Sequence, residues 1–375
     1  MSLDASEALG RRVSPPNRYD LIGLNRVKAM ANSPHADLSA VLVGCGAISE
    51  TWLSAIREIP ALKVVGLVDL VEEAARRRVD EYGLHDAMVS TDLNAALEKT
   101  RPDVVFDCTV PKAHVHVTLE ALRHGCHVLG EKPMADSLDN ARKMVAAAQK
   151  AGKIYAVTQS YRYGLGVRRL KSFLGSEEIG RITTVHSDFY VGAHFGGFRD
   201  RMKHVLLLDM AIHFFDAARF ITGADAVSVY CKDWNPAGSW YDHDASAVAV
   251  FEMTGGIVYT YRGSWCSEGL NTTWGGEWRI IGEQGSVTWD GGDSFQAQVV
   301  AETGGFFSKW RDVDVPAYGG GDKVDKHASL IREFVHCVKT GTVPETICTD
   351  NIKSLAMVLG TVESAELGKS VTVVN

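Results

Sequence analysis

Long apolar runs, paired cysteine motifs and a surplus of positive charge are all missing from this chain of 375 residues. No apolar stretch approaches the roughly 18 residues of a membrane-spanning helix, so we expect no membrane partner. The net charge of −7 argues against nucleic acid as a partner. The seven cysteines form no Cys-x-x-Cys pair and no group of residues has metal-ligand spacing, so we expect no bound metal. Arg11-Arg12 lacks the apolar segment of an export signal, and we expect a cytoplasmic protein.

The order of strand-like and helix-like segments predicts two domains after an N-terminal extension, residues 1–38. Residues 39–160 alternate short apolar strands with helices, which is typical of an α/β Rossmann domain with a parallel, doubly wound sheet. Residues 161–375 predict an α+β domain with a mainly antiparallel open sheet. We expect a helix over 205–222, strands 226–234, 244–253, 256–265, 275–282 and 285–290 arranged as a meander, and a C-terminal helix that packs back on the first domain.

A glycine-rich turn follows the first predicted strand. Gly44, Cys45, Gly46, Ala47 and Ile48 come directly after an apolar run, where backbone N–H groups at a helix N-terminus bind a pyrophosphate. Serine occupies the place of the third glycine of such a fingerprint. An ordinary tight turn therefore remains an alternative for this segment taken alone.

Asp69 ends the second predicted strand, at the distance from the glycine turn where an acid accepts hydrogen bonds from the adenosine ribose. A carboxylate there repels a 2′-phosphate, and Leu70 and Val71 supply no cation to bind one. This favours NAD over NADP. Capping of the next helix is a second role that the same carboxylate can fill.

Two further segments carry groups suited to proton transfer. Glu131-Lys132-Pro133 ends another strand of the same sheet, where Lys132 is either a surface charge or a group held over the ligand. Asp209 and His213 are four residues apart in an apolar helix and so share one face. As an orienting pair, the carboxylate would favour the imidazolium, so His213 would take up a proton at mid-range pH. A buried hydrogen bond without a catalytic role is the alternative.

Together and in this order, the glycine turn, the Glu-Lys-Pro tripeptide and the Asp-x-x-x-His helix resemble the Gfo/Idh/MocA family, which includes inositol and many other sugar dehydrogenases. The resemblance covers about residues 40–375. It implies an NAD-dependent oxidation of a sugar or polyol hydroxyl, of the apiose, hexose or inositol class, with His213 as base, Asp209 beside it and Lys132 as hydrogen-bond donor. It also implies a set of cofactor contacts: Gly44, Cys45, Gly46, Ala47, Ile48, Asp69, Thr109, His114, Glu131 and Lys132.

The predicted substrate contacts lie in the second domain and just before it. Gln159, Tyr161 and Arg162 follow the last strand of the first domain. The basic loop with Arg199, Lys203 and His204 replaces a glycine-rich stretch of many family members and suits a polyhydroxylated or partly anionic ligand, although a solvated loop explains it equally. Trp265 is the tryptophan best placed to stack on a sugar, whereas we expect the others to pack within the sheet or at an interface.

Two alternatives stay open. One is a family member that uses bound NAD transiently in glycoside cleavage or epimerisation, and the other is a ligand sensor without catalysis. In every case we expect a homodimer or homotetramer formed through the C-terminal sheet.

Overall fold

The structure is a computed structural model that describes residues 37–374. The predicted extension, apart from its last two residues, and the Arg11-Arg12 pair lie outside the described residues. Within that described range, the helices and strands build two sheets with helices around them.

The first sheet has six parallel strands within the described range, in the order β3-β2-β1-β4-β5-β6. Its strands and the connecting helices are β1 (Leu38–Val43), α1 (Ile48–Arg57), β2 (Leu62–Val68), α2 (Glu72–Tyr82), β3 (Met88–Ser90), α3 (Leu93–Thr100), β4 (Val104–Asp107), α4 (Pro111–Arg123), β5 (His127–Gly130), α5 (Leu138–Ala151) and β6 (Tyr155–Val157). The parallel Rossmann-type sheet predicted from the sequence is confirmed. Local chemistry sets the helix ends: Asp92 and Ser137 accept hydrogen bonds from the first turns of α3 and α5, and Gly152 ends α5 in the left-handed conformation.

The register of this sheet brings its functional ends together. Val43 pairs with Asp107, Asp107 with Gly130, and Gly130 with Val157. Because parallel strands end at the same edge, the segments that follow β1, β4, β5 and β6 all begin at one crevice, where such sheets bind their ligands.

The second sheet has nine strands within residues 37–374, in the order β14-β13-β12-β11-β7-β10-β9-β8-β15. After a 3-10 helix over Ser160–Tyr163, its elements are α6 (Leu165–Leu174), β7 (Ile182–Tyr190), α7 (Ile212–Thr222), β8 (Ala226–Trp234), β9 (Ser246–Met253), β10 (Val258–Ser264), β11 (Glu277–Gly282), β12 (Gly285–Trp289), β13 (Phe295–Glu302), β14 (Lys309–Val313), α8 (Lys326–Thr340), α9 (Cys348–Leu367) and β15 (Val371–Thr372). The mainly antiparallel character is confirmed.

The meander prediction is wrong in the middle of this sheet. The hairpins β9–β10 and β11–β12 form as expected, but β7 lies between β10 and β11 and pairs with β10 in parallel. Pairing between strands about 75 residues apart leaves no local pattern. Strands β13 and β14, which extend the sheet beyond β12, were not predicted.

The predicted helix 205–222 divides into two parts. Leu206–Ala211 is a π-helix, and α7 continues from it. The wider turn changes where Asp209 points relative to His213, and such segments are frequent at functional sites.

Helix α9 joins the two sheets. Cys348, Ile352 and Leu355 pack in the core beside the first sheet, whereas Met357 and Val358 pack in the core of the second. No helix among the described residues is long and apolar enough to cross a membrane.

Candidate active site

The glycine turn lies at the carboxyl end of β1 and has the shape that a pyrophosphate requires. Gly44 has φ +90, and a Cβ there would lie 2.7 Å from the carbonyl group of Cys108, so the position needs glycine. A Cβ on Gly46 would meet nothing within 4 Å, so its backbone borders open space. The exposed Ala47 and Ile48 follow, and α1 begins at Ile48.

Ser49, at the third position of the fingerprint, has a structural role. Its buried hydroxyl donates to the Gly46 carbonyl at 2.6 Å and accepts from Arg78 Nε at 3.0 Å. Arg78 Nη2 also donates to the Gly46 carbonyl at 3.0 Å. The serine and the arginine together support the turn from below, where a third glycine would otherwise allow close packing.

Asp69 faces this turn from the end of β2. Its carboxylate accepts from the Cys45 N–H at 2.7 Å and from the Val71 N–H at 2.9 Å. The second contact is to the residue before α2, and among the described residues Asp69 bonds to no N–H group of the first turn of that helix. The Cys45 thiol is buried, which raises its pKa to about 12, so it is not a nucleophile here.

These residues fit a dinucleotide. The turn offers open space before a helix N-terminus, and the acid at the end of β2 is within reach of it. Gln159, directly after β6, supplies a second observation: its side chain is 0% exposed and neither amide atom has a hydrogen-bond partner among the described residues. A buried amide with no partner is costly, and a ligand group in the crevice would satisfy it.

Lys132 lies at the end of β5 and contacts the helix that carries Asp209. Its ammonium donates to the Asp209 carbonyl at 2.7 Å and to the Asp209 carboxylate at 3.3 Å. Arg199 Nε donates to the same carboxylate at 2.8 Å. Burial alone would raise the pKa of Asp209, but the charge of Lys132 and the hydrogen bond from Arg199 lower it to about 2. Asp209 is therefore an anion that positions two cations.

Asp209 and His213 form neither the orienting pair predicted from the sequence nor the buried hydrogen bond that is its alternative. The Asp209 carboxylate turns to Lys132 and Arg199, and His213 Nδ1 has no hydrogen-bond partner within the described part of the chain. The His213 ring instead stacks on Tyr161, with centroids 4.4 Å apart. Burial, followed by the charge of Lys132, holds the pKa of His213 well below its usual value. The charge of Asp209 does favour the imidazolium, but burial and the charge of Lys132 outweigh it, so the expectation that His213 takes up a proton at mid-range pH is wrong.

Glu131, just before Lys132, is held by contacts that the sequence did not reveal. Trp52 Nε1 donates to its carboxylate at 2.6 Å, and His327 Nε2 lies 3.4 Å from the same oxygen. Burial would raise the pKa of Glu131, but the hydrogen bond with His327 leads the effects that lower it overall. Glu131 thus lines the crevice as a fixed anion.

Two predicted cofactor contacts are committed to Asp107 at the end of β4. Thr109 donates to the Asp107 carboxylate through its N–H at 3.0 Å and through its hydroxyl. His114 is 1% exposed and its Nδ1 lies 2.9 Å from the other oxygen of Asp107. Its buried Nε2 has no hydrogen-bond partner among the described residues, as for the Gln159 amide, and a ligand group would satisfy it in the same way.

Arg162 does not face the substrate crevice. It is 5% exposed, and its guanidinium donates to Asp216 at 2.6 and 2.7 Å, to Asp350 at 2.6 Å and to the Glu345 carbonyl at 3.0 Å. Its side chain ties the segment after β6 to α7 and α9. The sequence placed it beside Tyr161, but the 3-10 helix turns the two side chains apart.

Of the predicted substrate contacts in the basic loop and at Trp265, only Arg199 reaches the crevice. Arg199 reaches Asp209, while Lys203 is exposed and His204 bonds to Asp233 at 2.5 Å. Trp265 is 1% exposed and packs edge-on against Phe189. Because no face of the Trp265 ring is free, the prediction that a sugar stacks on it is wrong.

One trio within residues 37–374 has atoms close enough to hold a metal ion, namely His204, Asp233 and Asp244, all within 4.8 Å of one another. Sequence spacing did not reveal it, because the three come from separate segments. His204 Nδ1 already bonds to Asp233, and this bond raises the pKa of His204.

Lys326 and His327 are crevice residues that the sequence did not suggest. Asp325 bridges to Gly164, which brings the start of α8 beside the 3-10 helix. The Lys326 ammonium lies 5.5 Å from the ring centroid of Tyr161. They lie more than 110 residues from any other residue of the crevice, so no sequence pattern pointed to them.

Comparisons with known proteins agree with this fold. Residues 38–159 match the model of an oxidoreductase family with an NAD-binding Rossmann fold. Residues 167–288 match the C-terminal domain model of GFO/IDH/MocA proteins.

Several relatives are named as enzymes that act on carbohydrates. A D-apiose dehydrogenase of Paraburkholderia graminis is 25% identical over 88% of this chain and 88% of its own length. A D-glucoside 3-dehydrogenase of Escherichia coli is 31% identical over 53% of this chain and 57% of its own length. An oxidoreductase from Agrobacterium radiobacter, solved with NAD+, L-tartaric acid and magnesium, superposes with a TM-score of 0.79 at 20% identity, covering 90% of this chain and 99% of its own.

Proposed function

The chain belongs to the Gfo/Idh/MocA family of NAD-binding oxidoreductases, and on that premise we propose that it oxidises one hydroxyl group of a sugar or polyol with NAD. The observation that carries this proposal is the meeting of Lys132 with the helix of Asp209 and His213 at the carboxyl end of the parallel sheet. The names of the apiose and glucoside dehydrogenases support a pentose or hexose class of substrate, and inositols belong to the same chemical range.

In this proposal, His213 takes the hydroxyl proton. A base must be unprotonated to act, and the lowered pKa keeps the imidazole neutral at physiological pH. Tyr161, stacked on the ring, fixes its orientation. Lys132 donates a hydrogen bond to the reacting oxygen, and Asp209 holds its ammonium in position. The hydroxyl proton thus goes to His213, and the hydride leaves from the carbon that bears the same hydroxyl.

The cofactor contacts follow from the crevice. The N–H groups of residues 46–48 are proposed to bind the pyrophosphate, while those of Gly44 and Cys45, which bond to the Val68 carbonyl and to Asp69, hold the shape of the turn. Asp69 is proposed to bind the adenosine ribose, which favours NAD over NADP. Glu131, Lys132 and Gln159 are proposed to contact the nicotinamide half of the cofactor. When bound, NAD supplies the hydride acceptor, and the chain positions the substrate and moves its proton.

The proposal is tested by incubating the protein with NAD and a panel of pentoses, hexoses and inositols while recording the absorbance of the reduced cofactor. With the best substrate, Lys132→Ala and His213→Ala are each expected to lower kcat by a factor on the order of 10² or more, because each removes a group that assists proton transfer. His336→Ala, an exposed histidine on α8, is the matched control and should leave kcat unchanged. Near-normal rates in both site variants would remove His213 and Lys132 from the mechanism.

The second sheet suggests how copies assemble. We propose that residues 39–160 form the NAD-binding domain and 161–375 the substrate and oligomerisation domain, with a homodimer or homotetramer formed through the open sheet face. That face exposes Tyr230, Val250 and Val258 in adjacent strands, and it holds a hollow of about 640 Å³ next to Arg169. Light scattering after size exclusion measures the assembly, and a monomer at micromolar concentration would contradict this part.

A further inference from the structure

The crevice around His213 holds more positive charge than its acids neutralise. Lys132 and Arg199 share the single carboxylate of Asp209. The second acid, Glu131, is already held by the Trp52 indole and by His327. Lys326 adds a third permanent cation beside Tyr161, and within residues 37–374 it has no ion-pair partner. Three permanent cations and His327 therefore face two carboxylates.

The position of Lys326 is fixed by its backbone. Its φ of +38 lies in the left-handed region, which lysine rarely adopts. The Asp325–Gly164 bridge directly before it holds the chain in place. Non-glycine residues in this region cost free energy and cluster at ligand-binding sites. The ammonium is exposed at the crevice on the ring of Tyr161, whose stacking partner is His213.

Arg199 has one N–H donor that is not used in its contacts with Asp209. Its guanidinium packs over the rings of Phe195 and Phe198, at 4.9 and 4.8 Å from the centroids. Nε and Nη2 bond to Asp209, and Nη1 has no hydrogen-bond partner in the described part of the chain. The aromatic rings limit the rotamers of Arg199, so this donor is preorganised.

We propose that the substrate is an anionic sugar or polyol, bearing a carboxylate or a phosphate, which Lys326 and Arg199 bind while the reacting hydroxyl lies at Lys132 and His213. This inference rests on the proposed function. Charge-assisted hydrogen bonds to a carboxylate or phosphate are stronger than those to a hydroxyl. A neutral sugar would leave Lys326 unpaired and gain less from the site.

The test compares matched substrates. Initial rates of NAD reduction are measured for D-glucose, D-glucuronate and D-glucose 6-phosphate, and for D-galactose and D-galacturonate, so that the arms separate carboxylate from phosphate. We expect kcat/KM for at least one anionic member to exceed that of its neutral parent by about tenfold or more. Lys326→Met should remove most of that preference through KM, with KM for NAD unchanged. Lys309→Met, which removes a lysine charge from the exposed strand β14, is the control and should keep the preference.

Equal or better rates with the neutral parents would overturn the inference while the proposed function stood. A Lys326→Met effect that fell on KM for NAD instead would overturn it as well, by assigning the lysine to the cofactor. Calorimetric binding of D-glucuronate and D-glucose to the protein loaded with reduced NAD gives a readout independent of turnover. Preferential binding of the acid that is lost in Lys326→Met supports the inference even if no sugar reduces NAD. That last result would count against the proposed function alone.

Discussion

Replacing Arg162 by methionine separates a structural from a substrate-binding role for this residue. The guanidinium is almost fully buried, and it donates to Asp216, Asp350 and the Glu345 carbonyl at 2.6 to 3.0 Å. Burial would lower the pKa of Arg162, but the charge of Asp216 outweighs it and raises the pKa overall. The side chain thus works as a charged connector between the segment after β6, α7 and α9.

The expected loss of stability depends on the partners that Asp216 and Asp350 keep when Arg162 is removed. Removing one partner of a buried ion pair costs about 3–5 kcal/mol, because the other charge stays buried and unpaired. Here Asp350 keeps Arg219 at 2.8 Å and Asp216 keeps Ser354 at 2.7 Å, so we expect the lower end, about 3 kcal/mol. At about 2–4 °C per kcal/mol, the apparent Tm should fall by about 6–12 °C.

The assay is thermal unfolding at a fixed scan rate, followed by steady-state kinetics at a temperature where both proteins are folded. Arg181→Met is the matched control: its ion pair with Glu283 is exposed and should be worth about 0–1 kcal/mol. We expect KM for the substrate to stay near the wild-type value in Arg162→Met. An unchanged Tm together with a KM raised about tenfold would refute the structural role and restore the contact predicted from the sequence.

Three further predictions concern the cofactor site and the base. Asp69→Ala should reduce the preference for NAD over NADP by about tenfold in kcat/KM, since it removes the charge that repels a 2′-phosphate, while Asp80→Ala on exposed α2 should not. Gly44→Ala should lower the Tm because its Cβ would clash with Cys108, whereas Gly46→Ala should keep the Tm but raise the Kd for NAD in a fluorescence titration; the reverse pattern would contradict the turn geometry. Because His213 has a lowered pKa, kcat/KM should show no protonation step near pH 6.5, and stability should fall as pH drops below about 6.5, where the unfolded chain takes up a proton that the folded chain excludes. A bell-shaped profile with a limb near pH 6.5 would contradict the burial of this base.

Features that depend on local chemistry were predictable from the sequence. The alternation of apolar strands with helices predicted the parallel sheet of the first domain. The glycine turn and Asp69 were identified because their spacing follows from one strand-turn-helix unit and the strand after it.

Features that depend on distant contacts were not predictable. Strand β7 takes a central place in the second sheet through pairing that no neighbouring residue signals. The π-helix turns Asp209 towards Lys132, which an ideal helical wheel does not anticipate. Burial also decides against the predicted stacking of a sugar on Trp265, which is of the right chemical type but is enclosed by its neighbours. Lys326 lies beside Tyr161 because the start of α8 packs against the 3-10 helix, from which it is distant in the sequence.

Transfer of a label tests the central claim most directly. The best substrate of the panel is prepared with deuterium on the carbon of the oxidised hydroxyl, and the reduced cofactor is isolated and analysed by mass spectrometry and NMR. Direct hydride transfer in the crevice predicts one deuterium on C4 of the reduced nicotinamide, with a rate that His213→Ala lowers. Reduced cofactor without deuterium, or deuterium released into water, would contradict the account.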